Sequence, residues 1–184
     1  MIDIEIKHRN ELSEKELNEI NEIRIAEFSN LTKYEYGVLV NEFILWFLLE
    51  ENDEIKSIGK LITIPLNFDD EYYEILGVQS IASKDKMRGF GKIIMNSILD
   101  YLTRTESLAI GFCEKSNSAF YKKSDWNIIE SGESKFIFQF GVDDYGSISE
   151  DIGDLLWDGN EDHPVIKHLL SNSKDKITAF RKSW

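Results

Sequence analysis

An apolar run, Ile75-Leu76-Gly77-Val78, leads through Gln79-Ser80-Ile81-Ala82 into Lys86-Met87-Arg88-Gly89-Phe90-Gly91-Lys92. Beyond it, Ile93, Ile94, Ile98, Leu99 and Leu102 recur at helical spacing. A strand, a basic glycine-bearing turn and a helix, in that order, aim backbone N–H groups at an anion. The glycines let the main chain approach a ligand closely, and the helix N-terminus adds partial positive charge.

Two phosphate-binding turns fail against these residues. A dinucleotide fingerprint requires a third glycine where the chain has Ile94. A P-loop requires Ser or Thr after Gly91-Lys92, and Ile93 stands there. What is left is a basic residue followed by x-x-Gly-x-Gly, from Lys86 to Gly91.

A second stretch lies about thirty residues downstream. Leu108 to Cys113 reads as a short buried strand. After it comes Glu114-Lys115-Ser116-Asn117-Ser118-Ala119-Phe120-Tyr121-Lys122-Lys123-Ser124-Asp125-Trp126. Ser116 or Asn117 is suited to cap a brief helix, and the paired lysines favour its C-terminal end. Asp125 stands where that helix closes, and Asp tolerates a left-handed backbone better than most residues.

The first stretch resembles the pyrophosphate-binding motif of the GNAT N-acetyltransferase superfamily, Gln/Arg-x-x-Gly-x-Gly/Ala, with Lys86 in the first place. The second resembles that family's Asn-x-x-Ala-x-x-Phe/Leu-Tyr-x-Lys-x-Gly-Phe. Here Ala119 directly precedes Phe120, and Asp125-Trp126 replaces Gly-Phe. The resemblance covers residues 40 to 140. It implies an α/β fold with one twisted, mixed, mostly antiparallel sheet flanked by helices, and acetyl-CoA as co-substrate. Lys86, Met87, Arg88, Gly89, Phe90, Gly91 and Lys92 would hold the pyrophosphate. Backbone groups at Ile81 and Ala82 would align pantetheine and polarise the thioester. Asn117 and Phe120 belong to the second motif of the cofactor side, and Tyr121 matches the general acid that protonates the departing sulfur. The resemblance further implies direct attack by an amine in a ternary complex.

The base is open between Glu74 and water. Glu74 lies near the start of the proposed site strand, but counting back from Lys86 it is one residue out of register. On a regular strand that turns it to the opposite face, and a bulge restores it. Tyr73 and Gln79 share the favourable parity but are poor bases.

Composition narrows the partners. Formal charge is −13, from 21 basic and 34 acidic residues, which argues against nucleic acid. Lys84, Lys86, Arg88 and Lys92 form a local basic exception at the turn. Between Asp143 and Asp162 lie eight acidic residues and no Lys or Arg: Asp143, Asp144, Glu150, Asp151, Asp154, Asp158, Glu161 and Asp162. With Tyr145 and Trp157, that segment reads either as a wall attracting a cationic amine or as an exposed acidic loop. Length, acidity and Trp184 are similar to features of the aminoglycoside 2′-N-acetyltransferases, although Gly77 stands where those carry a substrate-side Glu. The expected acceptor is therefore the primary amine of a cationic small molecule, polyamine or aminoglycoside-like. A protein or peptide N-acetyltransferase and a non-catalytic acyl-CoA-sensing module are the alternatives.

The 184 residues, 42% hydrophobic, read as one domain: a motif core over about 40–142 and an acidic extension over 143–184. The longest apolar run, Phe43 to Leu49, is too short for a membrane span, and the first residues lack the pattern of a signal peptide. A single cysteine, Cys113, excludes an internal disulfide and fits a cytoplasmic protein. It reads as a small buried hydrophobe. His8, His163 and His168 fall at the two ends without metal-ligand spacing, so no metal is expected. Monomer and homodimer are equally compatible with the chain.

Strands are expected over Ile2–Lys7, Phe43–Glu51, Ile55–Pro65, Tyr72–Ala82, Trp126–Ile129 and Ser134–Val142. A helix spans Arg88–Thr105. Another helix opens at the capping box Ser13-Glu14-Lys15-Glu16, with Leu17, Ile20, Ile23 and Phe28 on its apolar side.

Overall fold

A computed structural model describes residues 2–28, 33–40, 42–139, 153–171 and 173–180. The chain divides into two compact units: Met1–Ile62 with Val78–Tyr101, and Thr63–Gly77 with Leu102–Trp184.

In the first unit, β1 (Ile2–His8) pairs antiparallel with β2 (Ile44–Glu51), and β2 pairs antiparallel with the first part of β3 (Glu54–Phe68). Asn52 and Asp53 both take positive φ, 56° and 60°, the two-residue turn whose twist suits adjoining strands. The last part of β4 (Glu71–Ser83) completes this set. Helix α1 (Glu14–Phe28) opens on a capping box: Ser13 Oγ accepts from the Glu16 N–H, and the Glu16 carboxylate accepts from the Ser13 N–H at 2.7 Å. Leu17, Ile20 and Ile23 are buried as expected. Phe28 is not: it closes the helix 41% exposed. Helix α2 (Phe90–Thr105) packs on β3, through Ile94 and Ile98 against Gly59.

In the second unit, the first part of β4 pairs parallel with β5 (Ala109–Cys113), which pairs antiparallel with β8 (Asp154–Trp157). A short strand, β6 (Asn127–Ile129), closes that run on β8. The last part of β3 pairs with β9 (Ile177–Ala179), and β9 pairs parallel with β7 (Phe136–Phe138). The strand expected over Ser134–Val142 is thus shortened. Gly132–Lys135 forms a 3-10 turn that follows Ser131 in a left-handed conformation, φ 54°, and residues 140–142 lie outside the described set. Helix α3 (Ser118–Lys122) follows β5, and α4 (Pro164–Leu170) buries Val165, Ile166 and Leu169. Proline at the first turn of α4 supplies a helix start whose missing N–H costs no bond. Mixed α and β elements on a largely antiparallel sheet match the expected fold class. Among the described residues no helix is long and apolar enough to cross a membrane.

Candidate functional site

The first unit carries the glycine-bearing turn. β4 approaches it with an irregularity, because Ser80 takes φ 55° within the strand. A non-glycine residue held there costs about 1–2 kcal/mol, and such departures re-aim a strand. The end of β4 is pinned: Ser57 Oγ donates to the Ala82 carbonyl at 2.9 Å, and the Lys84 N–H donates to the Lys56 carbonyl at 2.9 Å. Ile81 packs its side chain toward Gly59. The chain then turns through Met87 (φ 65°) and Gly89 (φ 79°).

Helix α2 starts at Phe90, not at Arg88, because left-handed Gly89 ends the turn there. The Ile93 N–H donates to the Gly89 carbonyl at 3.2 Å. The N–H groups of Phe90, Gly91 and Lys92 precede that bond, so helix geometry gives them no intrahelical acceptor. A Cβ added at Gly89 would meet no atom within 4 Å. Phe90 is buried and anchors the helix start, while Lys86, Met87 and Lys92 are exposed. The turn therefore presents backbone donors at a helix N-terminus beside open space, which is the geometry that receives a phosphate.

Its side-chain charge differs from expectation. Arg88 donates to both oxygens of Glu51, at 2.7 and 2.9 Å, and lies 3.6 Å from Asp85. Lys84 pairs with Glu54 at 3.0 Å and Glu22 at 3.8 Å, and Lys86 pairs with Glu27. Hydrogen bonds from Lys56 and Lys84 hold the Glu54 carboxyl down at about 2. Three of the four cations are thus matched by carboxylates, as the acidic excess of the chain makes natural. Among the described residues, Lys92 alone of the four makes no ion pair.

The second unit carries the aromatic pair. After β5 comes a single 3-10 turn, Lys115–Asn117, and then α3. Asn117 occupies the N-cap position but makes no capping bond with its side chain, which leaves it exposed. Asp125 takes φ 63°, the left-handed closure its residue type allows. The N–H groups of Ser124 and Trp126 both donate to the Tyr121 carbonyl, at 2.9 and 3.1 Å. Phe120 lies edge-on to Tyr121, ring centroids 5.0 Å apart. Burial, with a lesser contribution from Cys113, pushes the Tyr121 phenol well above its ordinary pKa. The phenol therefore stays protonated at neutral pH, with an O–H available to donate. Cys113 is buried, as read from the sequence, and burial likewise raises its thiol.

Glu74, also in the second unit, is exposed, and its side chain makes no hydrogen bond among the described residues. The acidic segment is only partly a surface wall. Asp154 is buried and bonded to Ser118 and Ser131, and Asp158 accepts from the Ala109 N–H at 3.0 Å. Trp157 is core on β8 rather than a substrate-facing ring. Glu161 and Asp162 are exposed. Asp143, Asp144, Tyr145, Glu150, Asp151 and Trp184 lie outside the described residues.

Three clusters could not be expected from the sequence. His163 and His168, at the ends of α4, gather around the tip of β3 and β4. Phe68 stacks on Tyr73 at 4.8 Å, His168 lies 4.7 Å from Phe68, and His163 lies 6.1 Å from Tyr73. The one usable signal was the His-Pro step at residues 163–164, a helix start. In the first unit, Arg9, Arg24 and Lys60, exposed by 4%, 5% and 8%, converge on Tyr34. The Arg24 guanidinium lies 3.8 Å from the ring centroid, and Lys60 Nζ donates to the Tyr34 hydroxyl at 2.9 Å. No spacing rule links these four positions. Separately, Glu5, Glu16 and Glu50 bring carboxylate oxygens within 4.8 Å of one another, with the Lys7 ammonium bonded to Glu5 and Glu16.

No family model matches the chain, and no curated protein matches it in sequence. Solved structures do. ElaA from Escherichia coli is 16% identical, with 85% of this chain and 98% of that one aligned at a TM-score of 0.56. An acyl-CoA N-acyltransferase from Pseudomonas aeruginosa is 13% identical over 85% of this chain and 99% of its own, TM-score 0.58. The GNAT family N-acetyltransferase YhbS from Escherichia coli, solved in complex with CoA, is 10% identical over 97% and 90%, TM-score 0.57. At these identities the likeness is one of fold, and the chain has the fold of these proteins.

Proposed function

We propose that this chain is an acetyl-CoA-dependent N-acetyltransferase. The observation that carries the reading is the turn from Lys86 to Lys92: left-handed Gly89 opens α2 beside empty space, and helix geometry leaves the first N–H groups without intrahelical acceptors. A pyrophosphate received there is held by backbone donors and by Lys92, since the neighbouring cations already serve carboxylates. This explains why the pattern needs glycine more than it needs charge. The YhbS structure supports CoA as the ligand of this fold.

The chemistry follows from what each residue can do. A neutral amine attacks the thioester carbonyl, the C–N bond forms, and the C–S bond breaks in a ternary complex. Backbone groups at Ile81 and Ala82, on a strand end fixed by Ser57, hold pantetheine in line. Asn117 and Phe120 carry the second motif, which the family resemblance assigns to the cofactor side. Tyr121 donates a hydrogen bond, and finally its proton, to the departing sulfur. The ammonium proton goes to Glu74 or to water, and the exposure of Glu74 gives it ready exchange with solvent.

The acceptor proposed is a primary amine on a cationic small molecule, polyamine or aminoglycoside-like. The support is a net charge of −13 together with exposed carboxylates at Asp69, Asp70, Glu71, Glu74, Glu161 and Asp162. A cytoplasmic setting suits the one buried, free cysteine. Release of free CoA thiol, followed across polyamines, aminoglycosides and peptides, tests the reading. Turnover with peptides alone would move the acceptor to protein N-termini. Binding of acetyl-CoA without turnover of any amine would make the chain a sensor.

A further inference from the structure

Helix α3 is five residues long, far below the length at which a helix holds itself together in water. Asn117 does not cap it. The placement of its first turn therefore draws on bonds from elsewhere, and a buried carboxylate supplies one of them. Ser118 opens the helix and is buried, and its Oγ donates to Asp154 Oδ2 at 2.6 Å. The other oxygen of the same carboxylate, Oδ1, accepts from the Ser131 N–H at 2.8 Å, where Ser131 takes its left-handed turn after β6. Asp154 begins β8 directly opposite Cys113 on β5, and Cys113 Sγ touches Ser118 Oγ at 3.7 Å.

One carboxylate, 4% exposed, thus ties the start of α3 to the strand beside it and to the turn beyond. Burial alone would raise its pKa. The bonds from Ser118 and Ser131, with the charges of Lys115 and Lys122, bring it net below the usual Asp value, so it is ionised at neutral pH and both oxygens accept. Tyr121 is three residues after Ser118 on the same short helix. Side chains at that spacing share a helix face. The C-terminal end of the same turn is held separately, by the two N–H groups on the Tyr121 carbonyl.

We propose that Asp154 is a positioning residue for acetyl transfer: acting through Ser118, it sets the first turn of α3 and so aims the Tyr121 hydroxyl. This rests on the reading of Tyr121 as the proton donor to the departing sulfur. Asp154 touches no reacting atom, and its effect is on the proton-donating step rather than on cofactor affinity.

A double-mutant cycle on the full chain tests it, with steady-state kinetics using acetyl-CoA and thermal unfolding of each variant. Ser118→Ala removes one hydroxyl and leaves Asp154 bonded to Ser131, so it keeps the test open if Asp154→Asn fails to fold. Ser118→Ala is expected to lower kcat about tenfold, because small misplacements of a reacting group cost that much or more, with KM for acetyl-CoA within about twofold of wild type. In a Tyr121→Phe background the same change is expected to lower kcat no further. Full activity of Ser118→Ala beside a slow Tyr121→Phe would overturn the proposal and leave the Tyr121 reading standing. Multiplying effects of the two changes would also overturn it, because a merely structural bond acts independently of the phenol. Wild-type kcat for Tyr121→Phe would remove Tyr121 from the chemistry, and this proposal with it.

Discussion

Arg88 grips Glu51 through two parallel hydrogen bonds, of 2.7 and 2.9 Å, so the most conspicuous cation of the glycine turn is committed to a carboxylate. The bond holds the Glu51 carboxyl below its ordinary range and raises the guanidinium. An anion arriving at this turn meets backbone donors first and must compete with Glu51 for Arg88.

Removing the competing charge should therefore help binding. Glu51→Gln is expected to tighten acetyl-CoA binding about two- to fivefold, the scale of one exposed ion pair. Isothermal titration at two salt concentrations checks it, with the gain shrinking at high salt. Weaker binding by Glu51→Gln would mean that the pair orients the turn rather than competing with the ligand.

At Gly59 on β3, α2 approaches the sheet closely. A Cβ there would lie 2.6 Å from Ile94 Cγ2 and 2.7 Å from Ile81 Cδ1. Overpacking of this kind costs about 1–3 kcal/mol. Gly59→Ala is expected to lower Tm by roughly 2–10 °C for a chain of this length. An unchanged Tm would show that Ile81 and Ile94 swing away freely.

His163 gives the protein a pH-dependent element near neutrality. Burial lowers its pKa below the ordinary imidazole value, and its Nδ1 accepts from the Val165 N–H at 3.2 Å as the N-cap of α4. The folded state thus prefers the neutral ring. Its contribution is fully present above the unfolded pKa of about 6.5 and is lost as pH falls through the lower folded value. Unfolding scans from pH 7.5 to 5 are expected to show this loss, and His163→Asn, which keeps a capping acceptor, to flatten it. Equal slopes in both proteins would assign the loss to other groups.

Much of this architecture can be read from local chemistry. The capping box at Ser13-Glu16, the Asn52-Asp53 turn, the left-handed Asp125 and the strand–turn–helix at residues 75–92 each follow from a few adjacent residues. What adjacency does not carry was not legible. The Ser118–Asp154 bond joins residues 36 apart, and Tyr34 meets Arg9, Arg24 and Lys60 from three separate segments. The basic cluster at the turn looked like free positive charge because Glu27, Glu51 and Glu54 lie far away in sequence. Trp157 and Asp158 looked like part of an acidic wall because composition alone does not distinguish a buried strand's end from a surface loop.

If the Lys86–Lys92 turn holds acetyl-CoA as proposed, that ligand stabilises the fold through it. Thermal unfolding of the wild type and of Gly89→Trp, each with and without acetyl-CoA and with ATP and NAD as controls, tests it most directly. Saturation at about 100 times Kd adds roughly 2.7 kcal/mol. That gain is expected for the wild type with acetyl-CoA alone. None is expected for Gly89→Trp, whose side chain would occupy the open space; because any side chain is strained at this left-handed position, the shift is read against the variant's own ligand-free Tm. No shift for the wild type at millimolar acetyl-CoA, or an equal shift for both proteins, would contradict the proposal.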